Sequence, residues 1–177
     1  MPQYPPPRWL DYNPVGKPLR GTWLLPVKLP IPKEKSFHIP RHLWFTDNDL
    51  LNFCSDLGHP LSGIIDLTYT NYYDPQLFTR RGVKYAKIFV EGHAIPSAST
   101  VKSILMFFVQ SLTKSNVFAD DMIAIHCTHG VNRTGYLICR YLIDVLGWSA
   151  NEAISEFELA RGYPIERDNY LEDLRRC

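Results

Sequence analysis

Only four cysteines, Cys54, Cys127, Cys139 and Cys177, occur in 177 residues, and no two of them stand in a C-x-x-C pair or at the spacing of a disulfide framework. A stapled miniprotein is excluded, and reduced thiols inside the cell are expected. Long apolar runs are missing as well. The longest in the second half, Ile104 to Val109, falls far short of the ~20 residues needed to cross a bilayer. The N-terminus carries prolines where a signal peptide would carry its apolar core, so neither export nor a membrane partner is expected. Charge of one sign is not in excess: a formal net charge of +1 argues against coating long nucleic acid by charge alone. Glycine is sparse at 10 residues against 45% hydrophobic and 13% aromatic, which excludes a collagen or a disordered chain and fits one sizeable core.

What is present is unevenly placed. Residues 1–45 hold seven Lys or Arg against the acids Asp11 and Glu34, and ten of the 14 prolines fall within residues 1–40. Such a stretch forms neither a helix nor a central strand, although a short edge strand near Trp23 to Leu29 is open to it. Trp9, Tyr12, Trp23, Leu24 and Leu25 would be costly in water, so this basic segment is expected to pack on a domain spanning 46–177, one domain overall.

From Thr46 onward strands and helices alternate. A capped helix is predicted from Thr46 to about Leu57, with strands at Gly63 to Leu67 and Lys84 to Val90. After Pro96 and Ser97, the residues Val101, Ile104, Leu105, Phe108, Val109 and Leu112 make one apolar helical face. A turn at Asp120 and Asp121 leads into a strand from Met122 to His126, and a helix runs from Thr134 until Gly147. Ser149 and Glu152 form a capping box for a helix ending at Gly162, and a last helix follows Asp168. This order predicts an α/β sandwich: a central, mainly parallel mixed sheet flanked by helices, with ligands at the carboxyl ends of its strands.

One such end reads His126-Cys127-Thr128-His129-Gly130-Val131-Asn132-Arg133-Thr134-Gly135. Five residues between cysteine and arginine let the backbone of Thr128, His129, Gly130, Val131 and Asn132 close around a tetrahedral oxyanion, with the helix N-terminus aimed at it. Gly130 permits the curvature, and Arg133 offers a planar fork. The same positive surroundings favour the Cys127 thiolate, so phosphocysteine chemistry is expected. A zinc site at His126, Cys127 and His129 is disfavoured by its spacing, and no metal or cofactor is expected. Cys54 and Cys139 fall in apolar helical patterns and read as core; Glu156 and Glu158 read as a solvated helix face.

The loop and its continuation, HCTHGVNRTGYLICRYLIDVLG, place the chain among cysteine-dependent phosphatases of the dual-specificity fold. Together with PPRWLDYNPVGKPLRGT, IIDLTYTNYYD and ARGYPIERDNYLEDL, it resembles the branch of RNA 5'-phosphatases related to the triphosphatase domain of metazoan capping enzymes. No nucleotidyltransferase block follows, so the likeness is to the phosphatase part alone. The resemblance implies metal-free removal of the γ and then the β phosphate from RNA 5' ends. It implies Cys127 as nucleophile, Arg133 on the transferred phosphoryl group, Thr134 donating to the leaving thiolate and His126 supporting the loop. Arg161 and Arg167 would flank the pocket, with Arg167 on a second phosphate. RNA 5' ends, and RNP proteins beside them, are the implied partners of a monomer residing in the nucleus rather than the cytoplasm.

Protein phosphatases of this fold place an aspartic acid after the strand expected at Lys84 to Val90, whereas this chain reads Glu91-Gly92-His93-Ala94-Ile95-Pro96, with Gly92 at the expected position. A phosphate leaving group, with a pKa near 6, departs without a proton; an alcohol or phenol does not do so readily. Glu91, His93 and Asp66 remain as acids, Asp66 alternatively as a structural acceptor. Other readings are a protein tyrosine or dual-specificity phosphatase, a phosphoinositide phosphatase, which the loop's want of extra lysines disfavours, and a non-catalytic reader of 5' phosphates.

Overall fold

The computed structural model describes residues 2–113 and 121–177. Four strands, β1 (Leu24–Val27), β2 (Leu61–Asp66), β3 (Lys84–Lys87) and β4 (Met122–His126), lie in the order β1-β4-β2-β3, and every neighbouring pair is parallel. The one antiparallel pairing among the described residues is an isolated bridge between Val15 and Val27. Parallel neighbours need crossovers, supplied by α1 (Asp47–Asp56), α2 (Gln76–Thr79) and α3 (Ala98–Thr113). After β4 come α4 (Asn132–Asp144), α5 (Ala150–Arg161) and α6 (Asp168–Leu174).

Local chemistry accounts for the helix ends. Thr46 and Asp49 close a capping box on α1, and Ser149 and Glu152 close another on α5. Helix α5 stops at Gly162, whose φ of 84° suits glycine. Of the apolar face predicted for α3, Val101 and Ile104 are buried, while Leu105, Phe108, Val109 and Leu112 lie outside the residues whose side chains are described, as does Asp120 before β4. Strand β3 is shorter than expected, and α4 starts two residues earlier, so Arg133 sits in its first turn.

Alternation along the strands splits the core in two. Leu24, Ile65, Ile123 and Ile125 pack with α4, α5 and α6, including Leu137, Phe157 and Tyr170. Leu25, Val27, Ile64, Met122 and Ala124 pack on the other face with Leu50, Phe78, Trp9, Leu29 and Ile31. Much of this second layer comes from residues before Thr46. Pro26 is tolerated because β1 is an edge strand, and Gly16 N donates to its carbonyl at 2.9 Å, covering part of that edge.

Candidate active site

Strand β4 delivers Cys127 to the carboxyl edge of the sheet, and the chain turns back at once into α4. The turn passes so close to β1 that a Cβ at Gly130 would stand 2.1 Å from the carbonyl oxygen of Val27; φ is 70° there. Only glycine fits without moving β1 or the loop. Helix α4 begins with no side-chain cap, so its first N–H groups are left to face whatever occupies the loop.

Three cysteines are buried in the core, and their surroundings drive them apart. Burial pushes the Cys54 thiol up to about 12 and raises Cys139 as well. Cys127 is only 3% exposed, so burial raises it too; yet its pKa is lowered overall, by Arg133, by the Thr134 hydroxyl and by the N–H groups of Thr134 and Gly130. Thr134 is fully buried, and its hydroxyl has no partner of ordinary hydrogen-bond geometry, although it stands near enough to favour the thiolate. A donor in that position stabilises sulfur most when sulfur is negative. Arg133 is braced by its Nη1 to the carbonyls of Leu67 (3.2 Å) and Val90 (3.0 Å) and by its Nη2 to Thr128 Oγ1 (3.2 Å), which fixes its fork beside the loop.

Behind the cysteine, the parallel register sets Asp66 of β2 between His126 of β4 and Lys87 of β3. His126 is completely buried, with Nδ1 3.0 Å from the Cys127 carbonyl and Nε2 2.7 Å from the Tyr73 hydroxyl. A carbonyl only accepts, so Nδ1 carries the proton and Nε2 accepts from Tyr73. Burial keeps the ring neutral by lowering its pKa. Asp66 is 1% exposed and accepts four hydrogen bonds: from the Thr68 N–H (2.9 Å) and hydroxyl (2.6 Å), the Tyr85 hydroxyl (2.9 Å) and Lys87 Nζ (3.0 Å). Burial alone would raise its pKa, but the net shift is down, and with His126 neutral the Thr68 donors and the Lys87 ammonium do the holding. A carboxylate so placed has no proton to give. Of the two expectations for Asp66, catalytic acid or structural acceptor, this geometry favours the acceptor, beneath the loop.

Arg161 also sits behind the loop. It was expected to touch phosphate, yet it is 2% exposed and lies outside the loop, donating from Nε to the Gly130 carbonyl (3.0 Å) and from Nη2 to the His129 (2.9 Å) and Asn13 (2.8 Å) carbonyls. In a trans peptide the N–H points opposite to the C=O. Drawing the carbonyls of residues 129 and 130 outward turns the N–H groups of Gly130 and Val131 inward. Burial lowers the Arg161 pKa to about 10, still protonated at neutral pH. Arg167, expected on a second phosphate, instead meets the His93 ring, Nη1 to Nδ1 at 2.6 Å.

The remaining loop residues divide by task. Thr128 bonds Arg133, Val131 is buried, and the Asn132 amide pairs with Glu166, accepting from its N–H at 2.8 Å. His129 reaches the Pro7 carbonyl at 2.7 Å and stacks on Tyr12, ring centroids 5.0 Å apart. Tyr12 and Arg8 both bind Glu166, at 2.6 and 3.0 Å. Sequence reasoning missed this strap, and it missed Lys28, a buried ammonium held by the carbonyls of Trp9 (3.1 Å) and Tyr12 (2.8 Å). It also missed Thr68 and Tyr73, although the block IIDLTYTNYYD contains both, and Thr68 two residues past Asp66 is a turn signal. Glu91 and His93 lie on an exposed stretch, and Gly92 brings no side chain.

A thiolate-favouring cysteine and a fixed arginine, with five residues between them in a strand–loop–helix, define a cysteine-dependent phosphatase architecture. The profile described as dual specificity phosphatase, catalytic domain, matches residues 60–177, and the chain belongs to that family. Among curated proteins it is 43% identical to the RNA/RNP complex-1-interacting phosphatase of Bos taurus over 171 residues, 96% of this chain and 51% of that protein. It thus spans about half the length of that relative. It is 38% identical to the tyrosine-protein phosphatase of Autographa californica nuclear polyhedrosis virus over 173 residues, 96% of this chain and 98% of that one. The fold agrees with the crystal structure of kinase associated phosphatase carrying a catalytic cysteine to serine substitution, at a TM-score of 0.67 and 18% identity over 86% of this chain and 84% of that one.

Proposed function

We propose that this protein is a metal-independent RNA 5'-phosphatase acting on triphosphate and diphosphate ends. The Cys127 thiolate attacks the terminal phosphorus, an S–P bond forms as the P–O bond to the next phosphate breaks, and the shortened RNA leaves. Arg133 and the inward N–H groups stabilise the equatorial oxygens. Water then attacks the phosphocysteine, inorganic phosphate departs, and the thiolate returns to the Thr134 hydroxyl. RNP proteins as further partners belong to the same reading and rest on the mammalian relatives' name.

One observation supports the choice of substrate: among the described residues, position 92, where an acid is expected, is glycine, and Asp66 is a locked carboxylate, which leaves only the exposed Glu91 and the His93 ring that meets Arg167. Cleaving a phosphoanhydride needs no such acid, and the γ and β phosphates are anhydrides while the α phosphate is an ester. The reaction is expected to stop at the 5'-monophosphate. A second reading, a protein tyrosine phosphatase, is favoured by the name of the baculoviral relative. Measuring kcat/KM on 5'-triphosphate RNA beside a phosphotyrosine peptide in excess EDTA separates them. RNA should be strongly preferred, and Gly92→Asp should help the peptide more than the RNA. Equal or better peptide turnover would return the protein to the second reading; activity lost to EDTA and restored by magnesium would remove the loop from the catalytic step.

A further inference from the structure

Arg133 does more than brace itself: by bonding the carbonyls of Leu67 and Val90, it fixes the two segments that carry an exposed aromatic pair near the pocket. Tyr69 is 62% exposed and Phe89 55%, and their rings meet edge to face, centroids 6.3 Å apart at 83°. Phe89 adjoins Val90, and Tyr69 lies two residues past Leu67, about 7 Å of extended chain. The Lys87 ammonium, itself anchored by Asp66, Thr68 and Thr70, stands 5.1 Å from the Phe89 ring centre. Between these rings and the exposed stretch at Glu91, Ala94 and Ile95 runs an open cleft of about 260 Å³. That is under the ~300–1,000 Å³ of pockets for drug-sized ligands, room for one ring system.

Two large rings kept in water at the rim of an anion-binding loop serve no purpose in the core. They suit a flat, polarisable group joined to a phosphate chain, because every nucleobase offers a π-face whatever its sequence. We infer that Tyr69 and Phe89 form a stacking platform for the base of the 5'-terminal nucleotide of the substrate RNA. The inference rests on the RNA 5'-phosphatase reading and adds how the enzyme tells an RNA end from a bare polyphosphate. Because stacking tolerates any base, selection would be for a base as such, with purines favoured by their larger face.

Two measurements test it separately from that reading. In the Cys127→Ser protein, an RNA with 5'-terminal 2-aminopurine should show quenched fluorescence on binding, and Tyr69→Ala and Phe89→Ala should each relieve the quenching; Phe89→Trp should restore it. In the active protein, the ratio of kcat/KM for triphosphate RNA over inorganic tripolyphosphate should fall about 5- to 150-fold in either alanine variant, the range one base–aromatic stack supports. An unchanged ratio with normal RNA turnover would overturn the platform and leave the phosphatase reading standing. Quenching that needs both rings, in an enzyme that turns over no RNA, would support the platform and overturn the phosphatase reading. If the alanine variants lost phosphotyrosine-peptide turnover more than RNA turnover, the platform would belong to a peptide and the inference would fall.

Discussion

Two loops border the pocket and are held in opposite ways. The loop from Cys127 to Arg133 is clamped on both sides: Val27 presses on Gly130, Arg161 draws its carbonyls outward, Pro7 and Tyr12 hold His129, and Glu166 holds Asn132. The stretch from Glu91 to Pro96 is held from one side, by the first turn of α6. Arg167 meets the His93 ring, Asn169 Nδ2 donates to the His93 carbonyl (2.9 Å) and the Tyr170 hydroxyl to the Ala94 carbonyl (3.0 Å). Its residues are mostly exposed, and His93 sits at a φ of 76°. The contrast separates what must stay fixed, the loop around the nucleophile, from a stretch that needs less support if, as proposed, it delivers no acid.

Changing the nucleophile tests the contrast at its strongest point. Cys127→Ser should lower turnover by more than about 10⁴-fold while retaining RNA 5'-end binding, read by rapid-quench kinetics and filter binding. Turnover near that of the parent would remove the covalent step. Next, Gly130→Ala forces a Cβ against the Val27 carbonyl oxygen. A misplacement of about 1 Å costs roughly 10²-fold in rate, and the overpacking should cost ~1–3 kcal/mol in urea unfolding.

Asp66→Asn probes the support below the loop. It leaves the Lys87 ammonium, largely buried, without its carboxylate, a loss of about 3–5 kcal/mol. The sign with pH follows from the lowered folded pKa of Asp66. Its stabilisation is complete above the unfolded value of about 3.9 and disappears as pH falls through the lower folded value. Unfolding measured from pH 7 down to 2 should show a shallower acid loss in Asp66→Asn than in the parent; identical slopes would free Asp66 of that role. The smallest effect belongs to the other loop. Arg167→Ala should change kcat/KM on triphosphate RNA by less than about 3-fold, while amide exchange at residues 92–95 accelerates. A loss comparable to that of Gly130→Ala would put Arg167 back on a phosphate.

The phosphate loop was legible because its chemistry is local: nucleophile, glycine, arginine and helix start all lie within seven residues. The same held for the capping box at Ser149 and Glu152, for the helix start at Thr46 and for β4. Asp66 was left open between acid and acceptor because a strand-end carboxylate looks alike whether it faces solvent or a lysine, and only the parallel register of β2 with β3 places Lys87 opposite it. The place of Arg161 was hidden for a related reason. An arginine close to the motif in space carries no mark in sequence of whether it enters the loop or lies behind it. The strap formed by Pro7, Arg8, Tyr12 and Asn13 was visible only as apolar residues in need of cover, since its partners stand up to 158 residues away.

That separation bears on the order of folding. Strand β1 joins the sheet solely through β4, Leu24 pairing with Ile123, and Arg161 closes on Asn13 across 148 residues. Contacts so distant in sequence form slowly, because the intervening chain must first be gathered in. The inward-facing N–H groups that favour the Cys127 thiolate are therefore expected late in assembly, once the N-terminal segment docks on β4 and Arg161. During refolding, the rate at which Cys127 reacts with a neutral-pH alkylating agent becomes a clock for that docking.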